Sequence, residues 1–503
     1  MDISELETLV LSLQNQVTSI NAWATSEIAK RDKKIAELET EIAGLKAENA
    51  CLKAENAELK AKLNANSQNS SKPPSSDGYR KPASKSLRTS SGRKQGGQKG
   101  HEGHGFTMLS KPDYEVACLP TSCQTCAQRS QCDFRVRNRR NVIDISIQLE
   151  HTEYQQLEAY CPHRANELLV GEFPSEVTGS KQYGRKLRAL GAALVTECAV
   201  SYDKASRILR DMTSCTLSAG TLVNFLKGCK EKLKNPLEYI RQAVLGHAVV
   251  NFDETGLRVD GKLQYMHTAS APDATYQVVE ERRGSEGMNK ADVLPHYNGI
   301  AVTDCWSPYW LYANLAGHGV CCAHLLRECK GLQEIYPKSF FFNFFPWLLT
   351  TMLEAKKKCI ADGKEKLEDK ELDKFLTVFA NTVAVGRVEH PPIGQEGQPK
   401  RGRSTRGKAN AFIERMARLS EAVCLFICNF SVPFDNNLAE RDLRHAKVKQ
   451  KVSGCFRTDE GAKLFAKLNS YISTAKKRGH TALLAFECLF QDKPMLALEG
   501  TTE

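Results

Sequence analysis

At 503 residues, 41% of them apolar, the chain is too long for one hydrophobic core and rich enough in apolar side chains to fill more than one. A formal net charge of +11 favours polyanionic partners, and the 18 cysteines, mostly scattered singly through apolar segments as at Cys424 and Cys428, exclude a small disulfide-stapled scaffold. No basic-then-apolar leader opens the sequence and no apolar run is long enough for a bilayer, so a cytoplasmic protein without membrane attachment is expected.

Residues 1–65 read as a coiled coil. From Ile35 to Leu63 the heptad is regular, with Leu38, Leu45, Leu52 and Leu59 at d and Ile35, Ile42, Asn49, Asn56 and Leu63 at a. Asparagine at a pairs best with its twin in a parallel two-stranded zipper, so a homodimer is expected. Leu6, Val10, Leu13, Val17 and Ile20 keep the same period, with a phase slip near Ala24. The competing reading is a single amphipathic helix folded on the body of the protein.

Residues 66–110 change character to Ser, Lys, Pro and Gly without any period, which marks a flexible basic linker. Arg93, Lys94, Lys99, His101 and His104 sit among its glycines and could track phosphates without reading bases; a plain solvated tether fits equally well. Residues 111–175 hold the one dense group of cysteines. Cys123-Gln124-Thr125-Cys126 has zinc-knuckle spacing, and Tyr160-Cys161-Pro162-His163 could close the site after an intervening hairpin, making Cys123, Cys126, Cys161 and His163 candidate Zn2+ ligands.

Residues 176–240 are helical in pattern, with apolar positions at Leu187, Leu190, Leu194, Ile208, Leu209, Leu222 and Phe225. Tyr202 to Lys227, with Ser218 capping its second helix, fits a helix-turn-helix, as it would any small helical bundle. Residues 241–480 then begin with strands at 248–252, 263–267, 276–279 and 300–303, with a helix from about Ser285 to Leu294 before the last. Three close strands, a helix and a fourth strand suit a ribonuclease-H-like α/β fold. After His324 the chain is mainly helical, interrupted by a basic glycine-rich loop from Gly394 to Lys408, and residues 481–503 form a C-terminal tail.

The chemistry concentrates in three acids. Asp253 and Asp304 each follow directly on a strand, so in neighbouring strands their carboxylates can share divalent cations, for which hard oxygen ligands are suited. In Asp435-Asn436-Asn437-Leu438-Ala439-Glu440-Arg441, Asp435 or Asn436 can start a helix and Glu440 then projects from its first turns. Two Mg2+ ions on three carboxylates can stabilise both the attacking and the leaving oxygen of a phosphodiester displacement. Arg441 and Arg444 are placed to meet phosphate. Strand alternation turns Glu254 away from Asp253, so its replacement by Gln is expected to be mild.

These residues fall within blocks that closely resemble DDE transposases of the insertion-sequence-sixty-six family. The blocks are residues 69–77 (NSSKPPSSD), 96–104 (GGQKGHEGH), Asp253-Glu254-Thr255, 321–328 (CCAHLLRE), 433–444 (PFDNNLAERDLR) and 449–457 (KQKVSGCFR), in family order from the linker nearly to the C-terminus. The resemblance implies that Asp253, Asp304 and Glu440 are the catalytic acids of a DNA transposase that cleaves and transfers strands, and that residues 330–431 are a helical insertion before the third acid. It implies DNA, both transposon ends and target, as partner, with small accessory proteins of the same element and a nucleoid-associated location in a bacterium. His324 and Arg327 lie in the Cys-x-x-His block and are read as supporting residues. A buried imidazole hydrogen-bonded beside the metal site is the expectation for His324, and a plain core histidine is the alternative; zinc held by Cys321 and His324 alone is not expected. At the cysteine group the family has a second Cys-x-x-Cys where this chain has Arg164, so either His163, Cys118 or Cys132 supplies the fourth ligand or the site is a decayed, metal-free remnant. Two further functions compete: a zipper-dimer transcription regulator carrying a dead catalytic fold, and a structure-specific nuclease of the same fold.

Overall fold

The computed structural model describes residues 3–64, 112–164, 166–392 and 407–495. The basic arm with Arg93, Lys94, Lys99, His101 and His104, the blocks at 69–77 and 96–104, and most of the glycine-rich loop after Gly394 lie outside the described residues. Two units are present, one including Val177–Arg210 and Thr216–Glu503, the other Pro82–Glu176 and Asp211–Cys215. Among the described residues no helix is long and apolar enough to cross a membrane.

The first helix, α1 (Ile3–Asn64), spans 62 residues and carries the heptad stripe. Along it Ile35, Leu38, Ile42, Leu45, Leu52 and Leu59 are all at least 44% exposed, so the chain's own body does not cover that stripe. The small unit holds α2 (Thr121–Gln124) and an antiparallel hairpin of β1 (Glu158–Cys161) and β2 (Glu167–Val170). Cys161 is the last residue of the hairpin's first strand rather than following the hairpin, and Pro162, His163 and Arg164 form a 3-10 turn directly after it.

After α1, which the large unit also includes, come four helices, α3 (Arg185–Thr196), α4 (Tyr202–Thr213), α5 (Ala219–Lys232) and α6 (Lys234–Leu245). Ser218 caps α5 as its sequence predicts, accepting from the Thr221 amide at 3.0 Å. A five-stranded mixed sheet follows, built from β3 (Val249–Val259), β4 (Lys262–Ser270), β5 (Thr275–Glu280), β6 (Ile300–Thr303) and β7 (Gly317–Val320). Its order is β5-β4-β3-β6-β7, an antiparallel meander extended by two parallel strands. Asp260 and Gly261, both at positive φ, make the two-residue turn between β3 and β4, the conformation that an Asp-Gly pair favours in hairpins.

Two local expectations change. The helix α7 stops at Ser285–Lys290, since Asp292 takes a positive φ and Pro295 enters a 3-10 turn. The strand β7 had no sequence signal, as Gly-His-Gly-Val lacks β-formers; a Cβ on Gly319 would stand 2.9 Å from Val432, so close packing rather than propensity selects this residue.

Beyond the sheet come α8 (Cys322–Ile335), α9 (Phe340–Ala361), α10 (Asp369–Glu389), α11 (Lys408–Arg418) and α12 (Ser420–Cys428), which form a helical body. Its centre is aromatic, with Phe341, Phe342, Phe345 and Phe412 essentially unexposed. Glu389 ends α10 by accepting from the Phe340 and Phe341 amides and the Ser339 hydroxyl, closing the start of α9. The last helices are α13 (Asn437–Ser453), α14 (Asp459–Lys477) and α15 (Ala482–Phe490). Part of the expected tail is therefore core: Ala485, Phe486, Leu489 and Phe490 of α15 are buried.

Candidate acidic site

Adjacent strands supply the first two acids. β3 and β6 run parallel with Asn251 opposite Val302, so Asp253 and Asp304 each lie two residues beyond the last pair. The strand β3 does not end before Asp253 as expected, because its other edge stays paired with β4, where Asp253 faces Thr268. Asp304 does leave its strand, and its Oδ1 accepts from the Trp306 amide at 2.9 Å.

The third acid comes from the first turn of α13, where Glu440 sits one turn after Asn436. The Asn251 Nδ2 donates to the Asn436 Oδ1 at 2.7 Å, the Asn436 Nδ2 donates to the Phe252 carbonyl at 2.8 Å, and the Asn436 amide reaches the Cys321 sulfur at 3.2 Å. A second brace comes from the helical body: the Lys356 ammonium of α9, 6% exposed, donates to the Phe426 and Val432 carbonyls just before α13. The helical body thus braces the segment that leads to α13.

Electrostatics tie the three acids together. Burial, then Glu254 and Asp304, and to a lesser degree Glu440, hold the Asp253 carboxyl well above its usual range. Burial and Glu254 raise Asp304. Burial raises Glu440 as well, Asp435 and Asp304 add to the rise, and Arg327 and Arg444 oppose it. Burial is the first cause at all three acids, and neighbouring carboxylates add to it, which disfavours their ionised forms.

Around Glu440 the supporting residues have distinct placements. His324 Nδ1 and an Arg327 terminal nitrogen each lie 3.7 Å from Glu440 Oε1, beyond hydrogen-bonding distance. His324 is therefore beside the acid as expected, but its Nδ1 is buried without a hydrogen-bond partner, and so are Glu440 Oε1 and Arg327 Nε. Burial, with Arg327, pulls the His324 imidazole down to about 4, so it is neutral at pH 7. Arg441 and Arg444 are exposed on α13, and of the two Arg444 faces Glu440 while Arg441 acts on Lys477.

Glu254 differs from its expectation. It does alternate away from Asp253, yet its side chain is 1% exposed, paired with Arg283 at 2.7 Å and accepting from the Tyr309 hydroxyl. Arg283 lies 4.1 Å from the centre of the Trp306 ring, two residues after Asp304, so Glu254, Arg283, Tyr309 and Trp306 form one connected group. Asp442, two residues after Glu440, is occupied: it accepts from Ser270, Thr275 and Lys477 at 2.6, 2.7 and 2.8 Å. The block at 449–457 closes the far end of β3, where the Phe456 amide donates to the Arg258 carbonyl at 3.0 Å and the Asp260 amide donates to the Phe456 carbonyl at 2.8 Å.

The zinc candidates Cys123, Cys126, Cys161 and His163 are not gathered into one group. Among the described residues, the one set of three metal-ligating side chains whose donor atoms lie within 4.8 Å of one another is Cys321, His324 and Glu440.

An α/β core with a mixed sheet, two acids beyond the paired ends of adjacent strands and a third at a helix start is a frame that fits DNA-processing enzymes. The family model described as "Transposase IS66 family" matches residues 181–464, more than half of the chain, which places it among the DNA transposases. The chain belongs to the IS66 transposase family. Membership implies a DNA-binding, DNA-cleaving enzyme and divalent-metal use. A second model, described as a family of unknown function (DUF6444), matches residues 26–107, and no curated protein matches the chain.

Proposed function

We propose that this transposase cleaves and transfers DNA strands by a DDE two-metal reaction on a ribonuclease-H-like core, with Asp253, Asp304 and Glu440 as its metal-binding acids. The observation that carries the reading is geometric: Asp253 and Asp304 lie two residues beyond the last pair of the adjacent parallel strands β3 and β6, and Asn436, one turn before Glu440, is hydrogen-bonded to Asn251 and Phe252 of β3. Hard oxygen donors, including the unpartnered Glu440 Oε1, fit Mg2+. When bound, the metal supplies Lewis-acid activation of the attacking and leaving oxygens.

The chain's own residues do the rest by positioning. Asn436 and Asn251 fix the start of α13 against β3, Glu254 with Arg283 and Tyr309 stiffens the strand bearing Asp253, and exposed Arg441 and Arg444 are available to phosphates. DNA would be held by the basic linker of residues 66–110, the cysteine module of 111–175 and the helical region of 176–240, with the catalytic domain at 241–480. The uncovered stripe of α1 supports a parallel zipper homodimer, and Zn2+ bound by Cys123, Cys126, Cys161 and His163 would draw the small unit together.

The test is cleavage and joining of labelled transposon-end DNA with Mg2+, paired with gel-shift binding. Asp253→Asn, Asp304→Asn and Glu440→Gln should each lower cleavage by about 100-fold or more while end binding persists. A Glu440→Gln protein that cuts normally would refute the third acid. Cutting without joining in the unmutated protein would favour a nuclease.

A further inference from the structure

Beside the oxygen-rich pocket lies a group of different chemistry. Cys321, fully buried, caps the start of α8; His324 is one turn on; Glu440 reaches them from α13. Their sulfur, nitrogen and oxygen donor atoms all lie within 4.8 Å of one another, and His324 Nδ1 stands 3.7 Å from Glu440 Oε1. Neither of those two atoms has a hydrogen-bond partner although both are buried. Buried polar atoms are otherwise almost always paired, and two such atoms aimed at one space point to a missing third party.

We propose that Cys321, His324 and Glu440 form a second cation site, selective for a borderline metal of the zinc class, which shares Glu440 with the acidic pocket. Donors on a tetrahedral zinc are separated by about 3.4–3.7 Å given its bond lengths, so the His324 to Glu440 spacing needs only a small adjustment. A thiolate and an imidazole disfavour magnesium, which takes oxygen ligands, and three protein ligands leave a fourth position open. Arg327 opposes the cation, since its guanidinium stands at 3.7 Å from the same Glu440 oxygen. The sharing, and hence antagonism between zinc and magnesium, rests on the reading of Glu440 as the third acid; the site itself does not.

The experiment is a Co2+ titration of full-length protein followed by absorption, in a Cys123→Ser/Cys126→Ser background that removes the other cysteine candidate. One equivalent should bind with a thiolate charge-transfer band, displaced by Zn2+ but not by a large excess of Mg2+. Cys321→Ser should abolish the band, His324→Ala and Glu440→Gln should weaken binding at least tenfold, Arg327→Met should tighten it, and Asp253→Asn should leave it intact. Should Cys321→Ser fail to fold, His324→Ala and Arg327→Met carry the same decision by their opposite shifts. An unchanged band in Cys321→Ser, or no band in the background protein, overturns the site. A Glu440→Gln protein that binds cobalt weakly yet cuts DNA normally would keep the site and refute the catalytic reading.

Discussion

Asn251 and Asn436, separated by 185 positions in the chain, are joined side chain to side chain inside the protein, with the Asn251 Nδ2 donating to the Asn436 Oδ1 at 2.7 Å. Both belong to the frame of the site rather than to its acids: Asn251 is two residues before Asp253, and Asn436 is four before Glu440. Replacing Asn436 with Ala leaves the Asn251 amide and the Phe252 carbonyl unpaired in the interior, at a cost of about 1–3 kcal/mol each way of counting a lost buried partner. Cleavage should fall at least tenfold even at temperatures where the variant is folded, with end binding little changed. A variant that melts lower but cuts normally once folded would show that the clamp does not position Glu440.

The pair of Asp442 and Lys477 gives a contrasting expectation. Their side chains are 10% and 14% exposed, and Asp442 also receives the Ser270 and Thr275 hydroxyls. Asp442→Ala should cost about 3–5 kcal/mol by leaving a buried ammonium without its anion. Urea unfolding measures this directly. An Asp442→Asn protein of normal stability that fails to cleave would instead promote Asp442 to the catalytic set.

Acid should act on metal-free protein in two opposite ways. The folded-state equilibria of Asp253, Asp304 and Glu440 are raised, so the stability they contribute is present below the ordinary carboxylate range and lost as pH rises through their elevated values. His324 is lowered from 6.5 to about 4, so its contribution is present above 6.5 and lost as pH falls towards 4, on the order of 3 kcal/mol in all. With chelator present, Asp253→Asn should raise the melting temperature at pH 7 by about 2–4 °C, the effect of about 1 kcal/mol on a domain this large. His324→Gln should flatten the loss between pH 6.5 and 4. Melting curves that are superimposable for unmutated and Asp253→Asn protein at pH 7 would contradict a destabilising buried charge at Asp253.

The heptad stripe of α1 leads to a solution measurement. Leu38, Leu45, Leu52 and Leu59 are 44–58% exposed in the single chain, and burying such a stripe in a twin recovers about 25 cal/mol per Å2. Leu45→Glu together with Leu52→Glu should convert a dimer to a monomer in sedimentation. A dimer that persists would place self-association elsewhere.

Cys123→Ser together with Cys126→Ser should release zinc from the small unit and loosen it towards proteases, since a module with this much exposed surface has little core to rely on. Elemental analysis of freshly purified protein is the check. No zinc in the unmutated chain, or equal zinc in the variant, would remove the module from the metal-binding set.

Local pattern sufficed for much of the architecture. Heptads drew α1, the β-branched runs at 248–252 and 300–303 drew β3 and β6, and Ser218 announced the start of α5, because each depends on neighbours a few residues away. The strand β7 was silent, since Gly319 is chosen by the approach of Val432 and not by its own preference for a strand. Asp253, Asp304 and Glu440 were legible as candidate acids from strand ends, a helix start and the family blocks. That Glu254 is buried against Arg283 and Tyr309 was not legible, as its partners are 29 and 55 residues away. The sequence by itself determined which residues could carry the chemistry and which segments could be helix or strand. Only the tertiary structure decided that Asn436 would anchor to β3, that Asp442 would be consumed by Lys477, and that Cys321, His324 and Glu440 would meet, because long-range packing alone brings such distant side chains within reach.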